Sequence, residues 1–132
     1  PSEYLDRPYV SMGVPTVVAT TDAEAQYLAT SAYQRILNLI RGHSLKLKAP
    51  IESTQGLANS AEQLSIQNFF AMAQIGNTQT VKAGLEKIAA QYEVDEFIFT
   101  CDIYDTQKRL DNFSLLMQIK NSSVMFLHGK HC

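Results

Sequence analysis

The sequence is poor in the features that would place it in a special class. It has two cysteines in 132 residues, Cys101 inside an apolar run and Cys132 at the last position. That is too few for a disulfide framework and leaves a reducing cytoplasm as the expected setting. No apolar stretch approaches the roughly 20 residues that a membrane-spanning helix needs. No basic run exceeds the Lys46/Lys48 pair, and the formal net charge is -2. A nucleic-acid surface needs clustered Lys and Arg to displace counterions, so charge argues against that partner. The opening residues, Pro1-Ser2-Glu3-Tyr4-Leu5-Asp6-Arg7, lack the basic start and apolar run of a signal peptide. Also missing are a Gly-x-Gly-x-x-Gly turn, a phosphate-binding Walker loop, a His-Glu-x-x-His pair and a Ser-centred nucleophile elbow. No motif names a reaction.

What is present reads as a globular α/β chain. Hydrophobic residues make up 45% and charged residues 18%, enough for one core and too apolar for a disordered chain. Residues 9–19 are rich in β-branched residues and apolar on both faces, as a buried parallel strand would be. Pro15 is awkward there, because it lacks an N–H for the ladder. Thr21-Asp22-Ala23-Glu24 has the spacing of a capping box. Apolar residues then recur from Ala25 through Leu28, Ala32 and Ile36 to Ile40, and Gly42 supplies a left-handed stop. Residues 43–59 have no period and read as one loop longer than the roughly 12–15 residues usual for structureless connections.

A second capping pattern at Ser60-Ala61-Glu62-Gln63 starts a helix through about Phe70. A short strand follows at Met72 to Ile75, and Asn77 is placed to cap a helix carrying Val81, Leu85, Ile88, Ala89 and Tyr92. Residues 96–103 form a clear strand. Asp105 caps a last helix whose inner face is expected to be Leu110, Phe113, Leu116 or Met117, and Ile119. Alternation of this kind predicts parallel strands, near 9–19, 72–76 and 96–103 and adjacent in that order. Three parallel strands leave open edges and uncovered faces, so the pattern fits a piece of a larger sheet or barrel. Residues 1–120 are taken as one partial domain and 121–132 as a weakly patterned tail.

Three segments together resemble the bacterial luciferase-like family of flavin-dependent monooxygenases. Ala73-Gln74-Ile75-Gly76-Asn77-Thr78-Gln79-Thr80-Val81 is similar to that family's strand, Gly-Thr-Pro-Glu-like turn and helix start. Tyr92-Glu93-Val94-Asp95-Glu96-Phe97 resembles its Tyr-Gly-Val-Asp-Glu-Leu pattern, and Ile103-Tyr104-Asp105 through Arg109-Leu110 its Tyr-Asp-His-x-x-Arg-Leu stretch. Arg7-Pro8-Tyr9-Val10 to Ala25 also fits a late barrel strand and helix of the family. The departures are Asn77-Thr78 in place of Thr-Pro, Glu93 in place of Gly, and a tail from Ser122 that matches nothing. The family folds as a (β/α)8 barrel of about twice this length or more. The resemblance therefore implies the C-terminal part of such a barrel, about three strands of eight. It implies reduced FMN as cofactor in preference to a deazaflavin, with O2 and a small organic substrate, in a complete enzyme. This chain alone would be catalytically incomplete. The alternative is a non-catalytic truncated relative that acts as an oligomerising or interaction module.

A TIM barrel carries its chemistry at the C-terminal ends of its strands. That makes Ala19-Thr20-Thr21, Gly76-Asn77 and Cys101-Asp102-Tyr104 the candidate lining. Gly76 and Asn77 could hold an anion on free helix-start N–H groups, or form a plain capped turn. Asp102 could orient a donor and Tyr104 could bond flavin or substrate; alternatively Asp102 pairs locally and Tyr104 packs. Cys101 has no His near it in sequence and reads as core. Lys46 and Lys48 lie on the long loop, where a lid could carry them toward an anionic flavin. His128, His131 and Cys132 have the identities of metal ligands but sit on the tail without supporting partners, so no metal is expected.

Overall fold

A computed structural model describes residues 9–43 and 46–122, with side chains described as far as Lys120. The tail residues His128, His131 and Cys132 lie outside the described residues. Seven elements follow in order: β1 (Ser11–Val18), α1 (Asp22–Ile40), α2 (Ser60–Phe69), β2 (Gln74–Gly76), α3 (Thr78–Tyr92), β3 (Glu96–Thr100) and α4 (Thr106–Ser122). The three strands form one parallel sheet flanked by helices, as expected.

The order within the sheet differs from the expectation. It is β2-β1-β3, with β1 in the middle. β3 pairs with the lower half of β1, from Ser11↔Glu96 to Pro15↔Thr100. β2 pairs only with the upper half, from Thr16↔Gln74 to Val18↔Gly76. A three-residue strand is too short to stand between two longer ones, so β1 and β3 are direct neighbours. Pro15 falls at the junction of the two ladders, the place in a central strand where a residue without an N–H is best tolerated.

Side chains alternate across the sheet. On one face Val14 and Val18 join Phe97 and Phe99 against Val81, Leu85 and Ile88 of α3 and Leu116 and Ile119 of α4. On the other face Val17 packs on Ala25, Leu28 and Ala29 of α1, together with Ile103. A third cluster, Ile36 and Leu37 with Ala58 and Ile66, joins α2 to α1. At the lower end of that second face the register partners Gly13 and Ile98 remain open. Gly13 has nothing within 4 Å of where a Cβ would sit, and Ile98 is 37% exposed.

The phase of α4 also departs from the expectation. Leu110 and Phe113 are exposed, while Asn112 is 1% exposed beside Leu116 and Ile119. The cause is a hydrogen bond: Val18 N–H donates to Asn112 Oδ1 at 2.7 Å. A buried strand N–H needs an acceptor, and meeting that need rotates the helix so that Leu110 and Phe113 face solvent.

Helix ends are set by local chemistry. Thr21 caps α1 by accepting from Glu24 N–H, and Gly42 has φ 72 after the helix. α2 is capped by Asn59, one residue earlier than the Ser60 expected, in a reciprocal capping box with Glu62. At the end of α3, Glu93 holds φ 49 in the left-handed region, the place where the resembling family has Gly.

The long loop is less free than its sequence suggests. Ile51 N–H donates to Thr30 Oγ1, Gln34 donates to the Ala49 carbonyl, and Arg41 donates to the Leu57 carbonyl. Arg41 also binds Glu62 through two hydrogen bonds of 2.7 and 3.0 Å. That guanidinium, with the Asn59 N–H second, pulls the Glu62 carboxyl down to about 2. A carboxyl depressed in the folded state stabilises it above its unfolded value and loses that effect as pH falls toward the folded value.

Three outcomes test this account. Asn112→Ala should destabilise the chain by about 2–3 kcal/mol, through an orphaned Val18 N–H and a small void, in urea unfolding. Glu93→Gly should stabilise it by about 1 kcal/mol, since a non-Gly residue pays sterically for φ > 0. Between pH 4.5 and 2, the window in which Glu62 is protonated only in the unfolded chain, the protection factors of amides 49–59, taken relative to their intrinsic exchange rates at each pH, should fall. Glu62→Gln should exchange faster at neutral pH and show a flatter acid response.

Candidate functional site

The C-terminal ends of the strands gather the polar residues that the sequence singled out. Gly76 is buried, its carbonyl accepts from Ala19 N–H at 3.1 Å, and no larger residue fits there. An added Cβ would stand 2.6 Å from Asp22 Oδ1 and 2.8 Å from the Cβ of Thr80. Asn77 follows as the cap of α3, with Thr80 N–H donating to its Oδ1 at 2.9 Å. Asn77 N–H in turn donates to Asp22 Oδ1 at 2.8 Å. A side-chain amide oxygen and a carboxylate from the start of α1 thus already take donors that an anion would use.

Asp102 and Tyr104 separate. Asp102 Oδ2 accepts from Arg35 Nε at 2.7 Å, joining the end of β3 to α1. Both side chains are about three-quarters shielded, so this pair is stronger than an exposed one. Tyr104 is 52% exposed. Asp105 caps α4 by accepting from Lys108 N–H. Cys101 packs half-buried against the α1 cluster, as its apolar neighbours in sequence led one to expect. Lys46 and Lys48 are exposed on the loop.

A residue set that sequence reasoning passed over forms a cavity of about 350 Å³ between the N-terminal part of α1 and α4. Ala19 and Thr20 reach it from the end of β1, whereas Asp102 and Tyr104 do not line it. Lys108 Nζ bonds Glu24 Oε2 at 2.9 Å at this cavity. The bond to Lys108 holds the Glu24 carboxyl below its ordinary range, and the Glu24 carboxylate raises Lys108. The signal in sequence was an acid in the first turn of one helix and a lysine in the first turn of another. Nothing in sequence joins the two. Among the described residues no group of three or more His, Cys, Asp or Glu side chains could hold a metal. None of their helices is long and apolar enough to cross a membrane.

These residues do not by themselves make a flavin site. A flavin phosphate needs open N–H donors or cations, but the start of α3 is closed by Asp22 and Asn77, and Lys108 is paired with Glu24. Gly76→Ala should destabilise the chain by about 1–3 kcal/mol in thermal unfolding. The Thr80 Cβ it would strike is fixed to the helix backbone, and the Asp22 bond to Asn77 should loosen with it.

No protein-family model matches the chain. It is 32% identical over 119 residues to an uncharacterized protein, YvbT, of Bacillus subtilis, covering 90% of this chain and 35% of that protein. It is 31% identical over 120 residues to a protein named luciferase-like monooxygenase from Escherichia coli, covering 91% and 36%. The fold is similar to the crystal structure of apo-MsnO8, with a TM-score of 0.65 and 18% identity over 93% of this chain and 38% of that one. The chain spans about a third of the length of the curated relatives it matches. Three parallel strands with flanking helices over such a share fit part of a (β/α)8 barrel. Over the third of their length that it spans, the chain is similar to proteins named luciferase-like monooxygenase, as a segment consistent with their C-terminal part.

Proposed function

We propose that this chain is the C-terminal part of a flavin-dependent monooxygenase that uses reduced FMN and O2 on a small organic substrate. The observation that carries the reading is the 31% identity, over nearly the whole chain, to a protein named luciferase-like monooxygenase. FMN fits the reading better than a deazaflavin only through the family resemblance. In the complete protein, flavin would supply the oxygen chemistry, and these residues would contribute one side of its surroundings. Thr20, Thr21 and Tyr104, exposed at the strand ends, would face a ligand, with Ala19 buried behind them. Gly76, Asn77 and Asp102 act by holding α1, α3 and β3 together. The loop with Lys46 and Lys48 would close over the site, moving on the anchors it makes to α1.

A second reading, an interaction module without chemistry, draws on the open face at Gly13 and Ile98 and on the outer edges of β2 and β3, which have no strand partner among the described residues. Both readings agree that the isolated chain is incomplete. They differ in what the complete protein does.

Titration of FMN against residues 1–132 should give weak or no quenching of flavin fluorescence, because a partial site lacks pre-organisation. The complete protein, given reduced FMN and labelled O2, should transfer one labelled oxygen atom to substrate. Tight stoichiometric FMN binding by the isolated chain would place the whole site within it. A complete protein that neither binds FMN nor consumes O2 would leave the module reading.

A further inference from the structure

We propose that the cavity between α1 and α4 is a binding site for a small organic cation, an amine with a compact apolar body. The inference rests on the shape and charge of the cavity and does not depend on flavin use.

The cavity measures about 350 Å³, within the roughly 300–1,000 Å³ of small-molecule sites. Its apolar wall is Val18, Ala19, Leu28 and Leu115. The first three are buried parts of the core, at 1%, 4% and 5% exposure, so the wall is held by the fold itself. The space is a cleft open to solvent along the exposed Thr20 and Ser114, so a small molecule can enter it and cover the apolar wall. The Glu24–Lys108 pair accounts for α1 and α4 being held together, and leaves the space beside it open.

The polar side of the cavity carries Glu24, Lys108 and Asp111. Lys108 binds Glu24 at 2.9 Å, and its charge also feels Asp111. Gln107, an uncharged donor, bonds Asp111 Oδ1 at 3.0 Å. One ammonium between two carboxylates leaves a net charge of about -1 on the cavity wall. An anionic ligand meets repulsion there, and a neutral one gains only its apolar contact. An ammonium group gains a charge-assisted hydrogen bond to Asp111 while its body covers the apolar wall. Size, apolar floor and surplus negative charge together select an amine.

The test compares benzylamine, benzyl alcohol and benzoate, which share one ring and differ in charge. Each is titrated into the complete protein by calorimetry at fixed ionic strength. Benzylamine should bind about tenfold more tightly than the alcohol, and benzoate most weakly. Asp111→Asn keeps an acceptor for Gln107 and should bring the amine to about the affinity of the alcohol. Ser114→Trp, at an exposed position on the cavity rim, should fill the space and abolish binding of all three probes with an unchanged circular dichroism spectrum. The proposal is overturned if none of the probes binds, if benzoate or the alcohol equals the amine, or if Asp111→Asn keeps the preference.

Discussion

The strand β1 is bonded on both sides, to β3 along its lower half and to β2 along its upper half, and its end carries the bond that fixes α4. Every cluster of the core touches this arrangement or hangs from a helix that does. Val14 and Val18 anchor one helical layer, and Val17 anchors the other. At the top of the strand Val18 N–H reaches a buried Asn112, and Ala19 N–H reaches the Gly76 carbonyl. A chain with so few strands has little else to align its helices. The split ladder around Pro15 is therefore the constraint from which the layer positions follow.

Polar groups at the strand ends are spent on holding those layers. Asp22 ties α1 to the start of α3, Arg35 ties α1 to the end of β3, and Glu24 ties it to α4. α1 thus meets α3, the end of β3 and α4 through one side chain each. Catalytic groups are usually poised between such partners, with perturbed protonation and access to ligand. Here the two shifted groups at the strand ends, Glu24 and Lys108, stabilise each other in their charged forms, as a structural pair does.

Much of this was legible because the signals are local. Asn77 and Asp105 cap helices in sequence as they do in space, and the alternation from Phe97 to Thr100 marks a strand with one buried face. The family resemblance rested on turns and caps of this kind. What sequence could not show depends on partners far along the chain. Strand order turned on a pairing between Ser11 and Glu96, 85 residues apart. The phase of α4 turned on Asn112 and Val18, 94 residues apart, which reversed the roles expected of Leu110 and Phe113. Asp102 was seen without Arg35, and Glu24 without Lys108, for the same reason. Helical periodicity alone favoured Leu110, since a buried Asn on the inner face contradicts the apolar pattern until its acceptor role is known.

The central claim is that these residues form one side of a flavin site that only the complete protein closes. It is tested most directly by a crystal structure of the complete protein with FMN bound. The account predicts the flavin ring beyond the C-terminal ends of β1 and β3, within contact of Thr20 or Tyr104, with β1 and β3 still direct neighbours. A flavin lying at the opposite end, by Ser11 and Glu96, or one bound wholly by other parts of the protein, would contradict it.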